Sequence, residues 1–125
     1  MDIYEADSLG RKELRRRFGI RMKHYQEMAK KTAIYQQKIW YPVIGLGGEV
    51  GELLNKCKKV LRDASGYFEP DAVEAIKLEM GDILWYLSML ATDLGIDMED
   101  VATANIQKLQ QRLTEGTISG SGDER

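Results

Sequence analysis

Apolar residues recur at three- and four-residue intervals along most of the chain, the period of a helix with one buried face. The first such run extends from about Arg21 to Trp40, with Tyr25, Met28, Ala29, Thr32 and Ile39 on its less polar side. Pro42 and the GLGG segment at 45–48 are expected to end it in a tight connection, because proline and clustered glycine interrupt helices. A second helix is predicted from about Gly48 to Arg62, its core stripe being Val50, Leu53, Leu54, Cys57, Val60 and Leu61. Asp71 followed by Glu74 reads as a capping box for a third helix. That helix presents Val73, Ile76, Met80, Ile83, Leu84, Leu87, Leu90 and Leu94 as a long apolar face, and Gly95 stops it. Asp97, with Asp100 three residues later, opens a fourth helix that reaches about Leu113. No strand-like alternation of useful length appears. The pattern predicts an all-α bundle of four main helices over residues 21–113. A basic arm or short helix (1–20) precedes it, and a Gly/Ser-rich tail (114–125) follows.

Composition narrows the class without changing this picture. With 125 residues, 43% hydrophobic and 30% charged, the chain has the size and make-up of one globular domain. A net charge of -2 argues against a nucleic-acid-binding protein. The single cysteine, Cys57, allows no intrachain disulfide and fits an intracellular, cytoplasmic setting. No apolar run approaches the roughly 18 residues of a membrane span, so no membrane association is expected.

The polar positions are patterned too. Glu49, Glu52, Lys56 and Lys59 fall at intervals of three, four and three, forming one stripe beside the apolar one. Glu79 and Asp82 continue at helical spacing into Tyr86 and Met89, and Asn105, Lys108 and Arg112 make a donor-rich stripe on the fourth helix. Each acid pair aims two carboxylates in one direction. Four carboxylates meeting at a helix–helix contact repel one another unless a positive charge holds them, and a hard divalent cation suits carboxylate oxygens best. A single E-x-x-E is common on solvated helices and is then no more than paired surface charge. Two pairs bordering core stripes, with glycines at 48, 51 and 81 that each cost about 1 kcal/mol against alanine, ask for close approach of a helix or ligand. Acids, lysines and an arginine together suit phosphate chemistry, in which metal and cations share the phosphate charge. A di-iron bundle would need Glu-x-x-His pairs, and the one histidine, His24, lies away from both acid pairs. GLGG lacks the Lys-Ser/Thr of a phosphate-binding loop.

Taken in order, Tyr25-Gln26, Ala29, Thr32, GLGGEVGEL (45–53), LEMGDILWYL (78–87) and NIQKLQQR (105–112) resemble the MazG-like nucleotide pyrophosphohydrolases of the all-α NTP pyrophosphatase superfamily. The signature there is E-x-x-E followed at a variable interval by E-x-x-D, here Glu49/Glu52 and Glu79/Asp82. The resemblance implies that these four acids bind Mg²⁺, with Mn²⁺ as a substitute. It also implies that a nucleoside triphosphate is cut between its α and β phosphates, giving the monophosphate and pyrophosphate. Glu49 or Glu52 would position or deprotonate the attacking water. Asn105, Lys108 and Arg112 match a motif that faces the substrate phosphates, and Lys56 and Lys59 join them by their position on the acid stripe. Gln26, Thr32 and Trp40 are the base-pocket residues that the resemblance suggests. Members of the family assemble as homodimers or homotetramers whose neighbouring subunits complete each site. A hydrolase specialised for dUTP or dUDP and a non-catalytic helical oligomerisation module are the alternative readings.

Overall fold

The computed structural model describes residues 20–116 together with Gly10, Glu13 and Arg16. The expected arm at 1–20 and the tail beyond Gly116 lie almost wholly outside the described residues. Among the described residues four helices follow one another: α1 (Met22–Lys30), α2 (Trp40–Ala64), α3 (Pro70–Asp93) and α4 (Met98–Glu115). No strand occurs among the described residues, so the fold is all-α as expected. None of these helices is long and apolar enough to cross a membrane.

The boundaries correct the sequence expectation at the α1–α2 connection. The first helix stops at Lys30, and residues 31–39 form turns before α2 begins at Trp40. Pro42 and the GLGG segment therefore lie inside a helix and do not terminate one. Pro42 occupies the first turn, where a backbone N–H would have no intrahelical partner anyway, so the missing donor costs little. The third helix starts with Pro70 at its first position and Glu69 in extended conformation before it, one residue ahead of the predicted Asp71 cap. Gly95 and Gly116, with φ of 72° at each, accept the left-handed conformation that closes α3 and α4.

The two longest helices, α2 and α3, run antiparallel and make the main contact of the molecule. Their seam is read from side chains that meet across it: Lys56 with Glu79, Glu49 with Glu79 and Asp82, and Gly45 with Tyr86. Inward positions on α3 are thus Glu79, Asp82, Tyr86 and Met89, continuing to Asp93. The polar stripe faces the neighbouring helix. The predicted core stripes split: Val60 is buried and Leu53, Cys57, Ile76, Ile83, Leu84, Leu87 and Leu90 are half-buried, while the outer members lie roughly a third of a turn from the seam. Val50, Leu54, Leu61, Val73, Met80 and Leu94 are all exposed. The buried apolar side chains among the described residues are the smaller set Ala29, Pro42, Val60, Met89, Ala91 and Met98.

Helix α1 packs on α3, and α4 packs on α1. One buried side chain ties these three together. The Gln26 amide donates to Thr92 Oγ1 (3.0 Å) and the Ile96 carbonyl (2.9 Å), and its carbonyl accepts from the Met98 N–H (2.8 Å). That last bond satisfies one of the free donors at the start of α4, where Asp97 makes no side-chain cap.

Candidate active site

The acids converge where α2 and α3 cross. Glu49, Glu79 and Asp82 each bring a carboxylate oxygen into a group spanning no more than 4.8 Å. Glu49 and Glu79 are half-buried and Asp82 is exposed, so the group opens on one side to solvent. Glu52, expected as the fourth member, is exposed and lies outside this group. The spacing that puts Glu49 and Glu52 on one helix face does not bring both to the same point on α3.

Electrostatics mark the group as short of positive charge. Partial burial, followed by the charges of Asp82 and Glu79 and a hydrogen bond shared with Glu79, raises the Glu49 carboxyl above its usual range. Burial and then the Asp82 charge raise the Tyr25 hydroxyl, which places α1 beside the same acids. Lys56 supplies part of the missing charge by pairing with Glu79 at 3.3 Å. Its partner is only 14% exposed, so this pair is better shielded than the surface pairs Arg62–Asp63 and Lys77–Glu74. Three oxygen donors from two helices, all within 4.8 Å of one another, fit a hard divalent cation.

An aromatic cluster borders the acids. The Tyr86 ring packs against the Cβ-less face of Gly45, meets Trp85 edge-on at 5.0 Å and lies 6.1 Å from Tyr41. Its hydroxyl is raised by burial, by a hydrogen bond with Tyr41, and by the charges of Tyr41, Glu49 and Asp82. Tyr41 stacks on Tyr35 at 4.9 Å, and Tyr35 meets Trp85 edge-on at 6.2 Å. These rings open onto a cleft of about 330 Å³ lined by Thr32, Ile34, Tyr35, Gln36, Gln37, Tyr41 and Trp85. The Trp85 indole N–H donates to Thr32 Oγ1 (2.8 Å), which itself donates to the Ala29 carbonyl (2.7 Å), so the indole is fixed by the end of α1.

The expected base-pocket residues separate here. Thr32 lines the cleft. Gln26 is buried with its amide spent on the α3–α4 turn, so it is not available to a base in the cleft. Trp40 is 71% exposed at the start of α2 and does not line the cleft. Tyr35, Tyr41 and Trp85 were missed. Helical periodicity runs the first predicted helix through residues 31–39, so nothing in the pattern singles out Tyr35.

Of the phosphate-facing residues, Lys56 reaches the acids, while Lys59 is exposed further along α2. Lys56 and Lys59 both border a second, more apolar cleft with Val60, Ala72, Ala75 and Ile76. On α4 only Met98 is buried. Among the described residues, no hydrogen bond or ion pair joins Asn105 or Lys108 to the acid group. Arg112 is half-buried near the end of the same helix. The glycines at 48, 51 and 81 also depart from expectation, since a Cβ at any of them meets nothing within 4 Å, whereas a Cβ at Gly45 runs into the Tyr86 ring.

Comparison with known proteins identifies the family. The MazG nucleotide pyrophosphohydrolase domain matches residues 43–116, a span that holds all four signature acids and the α4 stripe. The Gene 37 protein of Mycobacterium phage L5 is 39% identical over 109 residues, covering 81% of this chain and 96% of that protein. No solved structure matches the chain.

Proposed function

The chain belongs to the MazG nucleotide pyrophosphohydrolase family, and on that premise we propose that it hydrolyses nucleoside triphosphates to the monophosphate and pyrophosphate with Mg²⁺ as its metal. The observation that carries the reading is the three-carboxylate group of Glu49, Glu79 and Asp82 at the α2–α3 seam, next to an aromatic cleft. These three residues would hold the cation, and Mn²⁺ would substitute because it prefers the same oxygen ligands. Bound there, the cation neutralises phosphate oxygens and lowers the pKa of a water. Glu52, exposed one turn along α2 from Glu49 and outside that group, would orient the attacking water or accept its proton.

Lys56 and Lys59 follow on the same helix and offset charge on the leaving pyrophosphate. The nucleobase enters the cleft that Tyr35, Tyr41 and Trp85 line, where a flat ring gains stacking that tolerates several bases, and Thr32 fixes the indole that forms one wall. Asn105, Lys108 and Arg112 act from the α4 of a neighbouring subunit in a homodimer or homotetramer. The exposed apolar stripes of α2 and α3 support such an assembly.

The test is pyrophosphate release from a panel of common and damaged nucleoside triphosphates with Mg²⁺. Glu49→Gln and Asp82→Asn are each expected to lose about a hundredfold or more in kcat/KM while retaining helical content. Wild-type rates in both variants would reject the assignment.

A further inference from the structure

Asp93, the last residue of α3, holds the α1–α2 connection through a single oxygen. Its Oδ2 accepts the Tyr35 hydroxyl and the Ile39 backbone N–H, both at 2.9 Å. What it holds is an unfavourable backbone. Ile39 has φ 69° and ψ -58°, and the Trp40 N–H donates to the Lys38 carbonyl at 2.8 Å across it. This is a γ-turn of the rare positive-φ kind, centred on a β-branched residue that strongly disfavours it. Strain of this sort persists only where the surroundings over-determine it. Asp93 supplies that restraint at Ile39, and Tyr35 is the other residue it holds.

Thr32, Ile34, Tyr35, Gln36 and Gln37 line the aromatic cleft, and Tyr35 stacks on Tyr41 and meets Trp85 edge-on within it. Freed from Asp93, the segment 31–39 has a relaxed turn available, and Tyr35 has no other hydrogen bond holding its ring against Tyr41. We propose that Asp93 is a positioning residue for the nucleobase, clamping the 31–39 connection so that Tyr35 and Tyr41 form a fixed wall of the cleft. The proposal rests on the reading of that cleft as the base site of a nucleotide hydrolase. Asp93 itself touches neither metal nor phosphate. Its effect falls on recognition of the base.

The full chain carrying Asp93→Ala, Asp93→Asn or Tyr35→Phe tests this by KM and kcat over the triphosphate panel. A second arm measures binding of the corresponding monophosphates in EDTA by tryptophan fluorescence. Asp93→Ala is expected to raise KM for the preferred base about tenfold and to narrow the spread of KM across bases, with kcat little changed. Asp93→Asn keeps an acceptor and recovers part of the loss, and Tyr35→Phe, which removes one of the two bonds, falls between. Should Asp93→Ala fail to fold by circular dichroism, the Asn and Phe variants carry the comparison. Unchanged KM and base preference would overturn the clamp and leave the proposed activity standing, as would a uniform fall in kcat with KM unmoved. If the wild-type chain hydrolyses nothing in the panel, the activity fails and the clamp is judged on monophosphate binding alone. Weaker binding by Asp93→Ala then supports it, and equal binding, or none by the wild type, rejects it.

Discussion

At position 49 the chain places a carboxyl where burial and the charges of Asp82 and Glu79 all oppose its ionisation. The folded protein therefore holds a proton on Glu49 at pH values where the unfolded chain has released it. For an acid raised in this direction, the contribution to stability is fully present below the ordinary value of 4.5 and is lost as pH climbs through the raised folded value. Asp63 works in the opposite sense, because the Arg62 guanidinium beside it lowers its carboxyl and its stabilisation disappears as pH falls. The Glu49 effect is thus isolated by difference. In EDTA, the Tm of the wild type relative to Glu49→Gln should decline as pH rises above about 4.5. If the three acids hold a divalent cation as proposed, it would reverse that decline by binding the ionised carboxylates of the folded state. At a hundredfold excess over Kd it should add about 2.7 kcal/mol to the wild type and much less to Glu49→Gln. Parallel melting curves for the two proteins at every pH, with and without Mn²⁺, would show that Glu49 has no part in a metal site.

Gly45 carries the same logic to the level of a pair of helices. It is the one glycine of GLGG whose missing Cβ matters, because the Tyr86 ring occupies that space and is itself held between Trp85 and Tyr41. Gly45→Ala gains up to about 1 kcal/mol of helix propensity but overpacks a rigid ring, which typically costs about 1–3 kcal/mol. Overpacking wins, so a fall in Tm of roughly 5 °C is expected. Gly48→Ala meets nothing within 4 Å and should instead raise Tm by a few degrees; the same sign for both substitutions would refute this account of the seam. The pair also shows what was legible beforehand. Helical periodicity revealed both stripes on α2 and α3, and the E-x-x-E and E-x-x-D spacings revealed the acids, because those are properties of one helix at a time. Which stripe turns toward the neighbouring helix is a property of two, and here the polar one does. For the same reason Pro42 and GLGG were read as a break: their local preference loses to the packing of Pro42, which is buried, and of Gly45 under Tyr86. The aromatic cleft was illegible because its walls come from a connection, 31–39, whose shape depends on Asp93 some 54 residues further on.

Taken as a whole, one chain leaves its best apolar surface uncovered. Val43, Val50, Leu54 and Leu61 recur along α2, and Val73 and Met80 along α3, all exposed. On both helices this stripe is rotated in the same sense from the seam, and in an antiparallel pair that puts the two stripes on the same side, a surface suited to a second copy of the chain. Each leucine newly buried there contributes about 1.5–3 kcal/mol, so a few are enough for stable association. Sedimentation at micromolar concentration should therefore give an oligomer, and Leu54→Glu with Leu61→Glu should dissociate it while leaving the helices intact. Association would also bring in the α4 stripe, which on its own chain makes no bond from Asn105 or Lys108 to the acids. Subunit mixing decides whether it does. If Lys108 serves the acids of its neighbour, then co-refolding inactive Glu49→Gln with an impaired Lys108→Ala variant builds mixed dimers with one intact site each. About a quarter of wild-type sites are then recovered, since half the dimers are mixed. If Lys108 serves its own chain, each mixed dimer carries one defect in each site and activity stays at the level of the unmixed variants.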